Sequence, residues 1–165
     1  MTTITSTPLT NRNSLLRSIV LGGMFIFISQ FIHHWIVITL IQKTPFISVW
    51  QYIASGALGN AAFEGGIATA LLGVFFHLII SFAVAGVFIL SADRIPLLRR
   101  YAIVGSLLYG FGVFIVMNLI VTPLSAAPPL PAPTLPWLIE AIIEHVLFVG
   151  LPLGIIVRRN ANIKI

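Results

Sequence analysis

Residues 66–91 have the sequence GIATALLGVFFHLIISFAVAGVFILS, with no Asp, Glu, Lys or Arg among them. Their one ionisable side chain is that of His77. An α-helix rises about 1.5 Å per residue, so about 20 apolar residues cross the hydrocarbon core of a bilayer, which is about 30 Å thick. Residues 66–91 exceed that length, and we interpret them as a membrane-spanning helix.

Three further segments meet the same criterion: residues 16–41, 101–123 and 137–157. Of the 165 residues, 58% are hydrophobic and 8% are charged, whereas about a quarter of a soluble domain is charged. That deficit of charge excludes a soluble globule. The sequence predicts an all-α, polytopic membrane protein: one integral-membrane domain over residues 1–165, a bundle of four transmembrane helices in the lipid bilayer, preceded by a polar tail at residues 1–13.

The basic residues predict the orientation of these spans. Arginines and lysines cluster before the first span, between the second and third, and after the fourth: Arg12, Arg17, Arg94, Arg99, Arg100, Arg158, Arg159 and Lys164. The other two loops contain only Lys43. Because cytoplasmic loops carry the excess of positive charge, we expect both termini in the cytoplasm and the protein in the bacterial inner membrane.

The segment from residue 45 to residue 63 is predicted to lie at the outer face without crossing. Thr44 and Pro45 resemble a helix start, with a capping residue followed by proline. Trp50 and Tyr52 are typical of the membrane–water interface. A fifth span here would move Arg94, Arg99 and Arg100 outside the cell, so we expect an interfacial or re-entrant helix.

Between the third and fourth spans lies a proline-rich loop, residues 123–136, PLSAAPPLPAPTLP. Prolines fix the backbone in an extended conformation and remove hydrogen-bond donors. We expect a stiff outer loop that connects two spans, rather than a partner-binding motif.

Small residues predict how the second span packs. Thr69, Gly73, His77, Ser81 and Ala85 recur four residues apart and therefore share one helix face. Transmembrane helices associate through faces of this kind, because small side chains let the backbones approach closely. We therefore expect His77 to face the interior of the bundle.

Polar side chains are concentrated in one half of the predicted spans. A charge at the centre of a spanning helix costs about 2.5–3.5 kcal/mol on insertion scales. Even so, seven polar or ionisable side chains lie in the outer half of the predicted spans or near the midplane of the membrane: His33, His34, His77, Asn118, Glu140, Glu144 and His145. Gln30 lies one helical turn before His34. We expect these side chains to form a hydrated polar pocket that opens to the outer face, with Glu144 protonated or paired with a histidine.

The residue types leave three uses of such a pocket open. Interhelical hydrogen bonds are a purely structural use. Histidine and glutamate also exchange protons and bind zinc, iron or manganese. Finally, two of the four histidines are candidate ligands of a b-type haem, although paired histidines at matched levels on two helices are not evident. The metal and the ligand stay undetermined at this stage.

Other functional classes find little support. The chain has no cysteine, which excludes disulfides and Cys-ligated metals. Its basic residues form no stripe with aromatic residues, so nucleic acid is not an expected partner. The sequence contains no phosphate-binding loop and no nucleophile motif, so we expect no catalytic residues and favour a non-enzymatic protein.

Several short motifs in residues 65–159 resemble a family of small, poorly characterised bacterial inner-membrane proteins. These motifs are the Gly65-Gly66 opening with His77, the turn RIPL at residues 94–97, MN at 117–118 with TPLS at 122–125, and Glu140 with His145 before GLP at 150–152. More distantly, the layout is similar to the YagU-type inner-membrane proteins. That resemblance implies the four-span topology and a link to envelope or acid stress. The alternatives are a haem-binding electron-transfer protein, an accessory subunit of a larger membrane complex, and a homo-oligomer.

Overall fold

A computed structural model of the protein describes residues 12–160. The predicted tail, apart from Arg12 and Asn13, lies outside the described residues, as does Lys164. Within residues 12–160 the secondary structure is entirely helical. The prediction of an all-α polytopic fold is therefore confirmed.

Four helices are long and apolar enough to cross a membrane: α1 (Arg12–Ile41), α3 (Gly66–Arg94), α5 (Ala102–Leu124) and α6 (Leu135–Asn160). Two shorter helices connect them, α2 (Phe46–Leu58) and α4 (Pro96–Arg100). A 3-10 turn, Gly59–Phe63, follows α2. Large apolar side chains such as Phe25, Leu71 and Leu108 are exposed on the outside of the bundle, as expected of helices that contact a lipid bilayer.

The two ends of the bundle differ in the residues they present. Asn160 at the end of α6 donates a hydrogen bond to Ser18 near the start of α1, with 2.6 Å between Nδ2 and Oγ. The short α4 joins α3 to α5 at the same end. All seven arginines of the chain therefore lie at what we call the arginine end. The opposite end is closed by the non-helical residues 125–134, the proline strap, and we call it the proline end.

Small residues hold the spanning helices together, as the sequence predicted. A Cβ added at Gly22 would meet Ala85 of α3 and Leu153 of α6, and one added at Gly154 would meet the Ala102 carbonyl of α5. The predicted small-residue face of α3 is confirmed for Gly73, His77, Ser81 and Ala85, which are all buried, while Thr69 near the start of the helix is half-buried. Close packing of this kind supplies the attraction that lipid cannot supply.

The half of the bundle nearest the arginine end is filled by an apolar core. Its buried side chains come from α1, α3, α5 and α6: Ile26, Ala85, Phe88, Ile89, Ala92, Ala102, Val149, Leu153 and Val157. Tyr109 packs beside this core and donates a hydrogen bond to the Val84 carbonyl at 2.8 Å. Ile26 and Val149 of this core also form part of the wall of the first cavity described below.

Helix α2 differs from the expectation in two ways. It begins at Phe46 with Pro45 as the capping residue and no side-chain capping bond, so the predicted cap at Thr44 is wrong. Trp50 is 3% exposed, and its ring contacts those of Phe31 and His77. A tryptophan so deeply covered is not the interfacial residue that the sequence suggested. Its carbonyl lies directly against Gly73 of α3, which explains the close approach.

Two glycines allow the turns that return the chain from α2 to α3. Gly59 ends α2 with φ 59° and Gly66 begins α3 with φ 56°. Residues with a Cβ rarely adopt this left-handed conformation. The turn places α2 beside the first turns of α3, where the Gln51 side chain donates to the Gly66 carbonyl at 3.2 Å. Helix α2 therefore covers the proline end of the bundle interior.

Candidate functional site

Two carboxylates on α6 meet two histidines on α1 near the proline end. Glu140 and Glu144 lie one helical turn apart and share a face. His33 and His34 are the last two residues before α1 changes from α-helical to π-helical geometry at Trp35. The contacts between these four side chains form the most polar region inside the described bundle.

Glu144 is the centre of this region. The residue is 5% exposed, and one of its oxygens, Oε1, contacts three side chains of α1. Gln30 donates a hydrogen bond to it at 3.3 Å. His33 Nδ1 lies 3.3 Å away and His34 Nε2 lies 3.4 Å away. A buried carboxylate needs such partners, because an uncompensated charge in a low-dielectric interior is strongly unfavourable.

His33 lies between the two carboxylates. Its Nε2 is 3.0 Å from Glu140 Oε1, while its Nδ1 faces Glu144. The Glu140 side chain is 32% exposed, so this side of the arrangement reaches the surface at the proline end. We call His33, Glu140 and Glu144 the His–Glu cluster.

A cavity of about 190 Å³ adjoins the cluster. Most of its wall is apolar, and we call it the polar cavity after the seven polar side chains that reach it. It is lined by residues of α1, α2, α3, α5 and α6, and its polar lining consists of Gln30, His34, His77, Ser81, Asn118, Glu144 and His145. Since liquid water occupies about 30 Å³ per molecule, the volume corresponds to about six waters. His77 is 8% exposed, and its Nε2 has no hydrogen-bond partner in the described bundle. That unsatisfied nitrogen favours a hydrated cavity.

The structure brings the seven predicted site residues together in two groups. His34, His77, Asn118, Glu144 and His145 line the polar cavity. His33 and Glu140 do not line it, and His33 adjoins it through Glu144 and through the ring of His34. Two of these five residues bond within their own helices: His145 Nδ1 lies 2.8 Å from the Ala141 carbonyl, and Asn118 donates to the Phe114 carbonyl at 2.9 Å.

Two residues outside the predicted set also shape the site. Gln30 holds Glu144 from across the helix interface. The sequence signal that could have identified Gln30 as a site residue is its position one helical turn before His34. Trp50 packs its ring against the rings of both His34 and His77. Its aromatic character suggested the interface instead, and a single sequence offers no clue to which face of α2 is covered.

Three π-helical segments begin at the site. They are Trp35–Ile41 after His34, Met117–Val121 around Asn118, and His145–Gly150 after Glu144. Segments of this kind are rare and are frequently found at functional sites, where they shift the register of the following side chains. All three lie on spanning helices and border the polar cavity or the His–Glu cluster.

The His–Glu cluster has a composition and size suited to a metal ion. One ligand atom from each of His33, Glu140 and Glu144 can be chosen so that all lie within 4.8 Å of one another. Bonds of about 2.0–2.2 Å in a tetrahedral zinc site place ligand atoms about 3.3–3.6 Å apart. The three ligand atoms spread to 4.8 Å, so they would move closer together around an ion. His34 lies outside this group of three, but its Nε2 is 3.4 Å from Glu144 Oε1, which makes it the candidate for a fourth ligand.

Haem finds no comparable site in the described residues. His34 and His77 have ring centroids 6.2 Å apart, with the Trp50 ring against both. The polar cavity of about 190 Å³ beside them is smaller than the roughly 300–1,000 Å³ of small-molecule and cofactor sites. A larger cavity of about 720 Å³ exists near the proline strap, but its lining includes no histidine.

Comparison with protein-family models, with curated proteins and with solved structures found no match for this chain. The resemblance to YagU-type proteins therefore stays a prediction, and the function is argued from the geometry of the site.

Proposed function

We propose that this protein binds a divalent transition-metal ion of the zinc, manganese or iron(II) class at the His–Glu cluster, with His34 as the fourth ligand. The observation that carries the proposal is that one ligand atom from each of His33, Glu140 and Glu144 can be chosen so that all three lie within 4.8 Å of one another. His33 would give the ion one of its two ring nitrogens, so its contact with one of the two carboxylates would be replaced by the bond to the ion. Imidazole ligands favour zinc and iron, and carboxylate ligands favour manganese. A site that contains both types of ligand can therefore bind any of these three metals.

The charge of the site supports a cation. Two carboxylates lie close together in the proline half, and the only basic groups within 4 Å of them in the described residues are the imidazoles of His33 and His34. The arginines lie at the opposite end of the bundle. A divalent ion would neutralise both carboxylates and leave the imidazoles uncharged, which removes the penalty of a buried net charge.

The surroundings of the ligands also suit a metal centre. Gln30 fixes one oxygen of Glu144 by its hydrogen bond. Phe148 packs on the His33 ring and Trp50 on the His34 ring, with centroids 5.2 and 6.2 Å apart. Outer groups of this kind orient metal ligands before the ion arrives. Gln30, Phe148 and Trp50 therefore each restrict the position of one candidate metal ligand.

Access is expected from one side of the membrane. By the distribution of arginines, the proline end faces outward in a bacterial inner membrane. Glu140 is the partly exposed ligand at that end. The apolar core fills the other half of the bundle and offers an ion no polar partner. In this conformation the protein is a receptor for an external ion rather than a channel.

Equilibrium dialysis of detergent-purified protein tests the proposal. The protein must carry no histidine tag, because a tag would itself bind the probe ions, Zn²⁺ and Mn²⁺. We expect wild type to retain one ion per chain. Glu140→Gln and Glu144→Gln should each weaken binding by at least about 10–100-fold, the loss known for groups that only support a metal ligand.

Glu64→Gln is the matched control, since Glu64 is an exposed carboxylate at the same end of the bundle. It should bind like wild type. Thermal unfolding of the metal-free variants checks that each one folds, and the partly exposed Glu140 keeps the test valid if the Glu144 variant does not. The proposal is contradicted if wild type retains neither ion, or if the folded Glu140→Gln variant retains as much as wild type. The His–Glu cluster would then have only a structural role.

A further inference from the structure

The larger cavity, of about 720 Å³, lies at the proline end between α5, α6, α2 and the proline strap. Its wall is mainly apolar and includes Phe114 and Leu119 of α5, Trp137 and Leu138 of α6, and several prolines of the strap. This volume is within the range of about 300–1,000 Å³ that is typical of small-molecule sites. We call it the apolar cavity.

Few polar groups reach the apolar cavity, and one of them has no partner. The Tyr52 hydroxyl is buried without a hydrogen-bond partner among the described residues. Burial raises the pKa of Tyr52, so its hydroxyl stays neutral and can donate a hydrogen bond. Buried donors are normally satisfied. The unsatisfied hydroxyl therefore points to a ligand that carries an acceptor oxygen.

A second polar group, Asn118, lines both the apolar and the polar cavity. One amide hydrogen of Asn118 is used within its own helix, in the bond to the Phe114 carbonyl. The side-chain oxygen and the second amide hydrogen remain for other contacts. A ligand in the apolar cavity would therefore place its polar part beside Asn118 and Tyr52.

The surroundings of the apolar cavity are lipid-facing. Leu119 and Leu130 belong to its lining, and Leu135 begins α6 next to it; all three are strongly exposed. These side chains continue the apolar surface of the spanning helices. Since the cavity lies near the end of the spans, it is at the depth where the hydrocarbon core meets the headgroup region.

We propose that the apolar cavity binds the acyl chain of a membrane lipid, with the ester carbonyl of that lipid accepting a hydrogen bond from the Tyr52 hydroxyl. The acyl chain lies along Phe114, Leu119 and Leu138. Ester carbonyls occur at the boundary between hydrocarbon and headgroups, which is the depth of Tyr52 at the proline end. Metal binding does not enter this proposal, and either one can fail without the other.

Native mass spectrometry of the full chain in detergent tests the proposal with two matched probes. One is a palmitoyl lysophosphatidylglycerol, which carries an ester carbonyl, and the other is its alkyl-ether analogue, which lacks that carbonyl. We expect wild type to bind the ester about two- to tenfold more tightly, the factor that corresponds to one net hydrogen bond. The Tyr52→Phe variant should lose this preference and bind both probes equally.

Two further variants make the result specific. Tyr101→Phe removes a hydroxyl from an exposed tyrosine at the arginine end and should keep the wild-type preference. Ala132→Phe places a ring inside the apolar cavity and should weaken the binding of both probes. Equal binding of ester and ether by wild type, or an unchanged preference in Tyr52→Phe, overturns the proposal.

Discussion

The two halves of this bundle are built from the same four helices and differ in almost every other respect. In the arginine half, small residues and a continuous apolar core fill the interior. In the proline half lie the His–Glu cluster and the apolar cavity, and the polar cavity extends from this half to Ile26 and Val149 of the apolar core. The three π-helical segments begin at the site in this half. The comparison teaches that close packing stabilises the arginine half, whereas the proline half contains cavities and the polar side chains of the His–Glu cluster.

Unsatisfied polar atoms follow the same division. Seven buried side-chain nitrogen or oxygen atoms have no hydrogen-bond partner within residues 12–160, and six of them belong to residues of the proline half: His33, His34, Thr39, Trp50, Tyr52 and His77. The seventh belongs to Asp93 at the arginine end. Native interiors leave few such atoms. Three of these residues, His34, His77 and Tyr52, line one of the two cavities, which is the pattern expected of a region that holds ligands or water. The His33 atom, Nδ1, faces Glu144 Oε1 at 3.3 Å without the geometry of a hydrogen bond.

The largest effect on stability should come from the core of the arginine half. Phe88 is 1% exposed, whereas Phe75 on the same helix is 54% exposed. We expect Phe88→Ala to lower the free energy of unfolding by about 2–3 kcal/mol, less than in a soluble core because lipid replaces water outside the helices. Phe75→Ala should change it by under about 1 kcal/mol. Reversible unfolding in mixed micelles measures both, and equal losses would contradict the division into two halves.

A smaller effect is expected where helices α5 and α6 touch. A Cβ at Gly154 would collide with Ser106 and with the Ala102 carbonyl, whereas one at Gly112 would meet nothing within 4 Å. Gly154→Ala should destabilise the protein by about 1–3 kcal/mol, the usual result of overpacking. Gly112→Ala serves as the matched control and should not destabilise it. If both variants unfold alike, close packing does not hold this interface.

Replacing Gln30 should have the smallest effect on stability but should clearly weaken metal binding at the His–Glu cluster. Gln30→Met keeps the size of the side chain and removes the bond to Glu144, so Zn²⁺ affinity should fall about tenfold, as for other groups that orient a ligand. The control is Gln51→Met, which removes a buried amide bond to the Gly66 carbonyl away from the His–Glu cluster. Dialysis should show nearly wild-type affinity for that control. A similar loss in both variants would mean that Gln30 does not act on Glu144.

The sequence predicted the spans, since the thickness of the bilayer sets their length and the cost of a charge in hydrocarbon keeps them uncharged. It also placed His77 correctly in the interior, because the small residues around it repeat at helical spacing. It could not show that His33 bridges Glu140 and Glu144. That contact depends on the rotation of α1 against α6, and two adjacent histidines differ in direction by about 100°.

Other features of the site depend on packing that no local pattern encodes. Trp50 is covered because Gly73 lets α2 approach α3, a contact between helices rather than a property of α2. The π-helical turn at His145 changes the direction of the residues that follow Glu144. Beyond that turn, the spacing of an ideal α-helix no longer predicts which way the side chains of α6 point.

X-ray absorption spectroscopy of the zinc-loaded protein tests the central proposal most directly, because it reports the atoms bound to the ion. We predict about four light ligands at about 2.0–2.2 Å, two of them imidazoles with their characteristic outer-ring scattering. In His33→Gln the imidazole contribution should fall by half. A spectrum without imidazole scattering, or one unchanged in His33→Gln, would show that zinc does not bind at the His–Glu cluster.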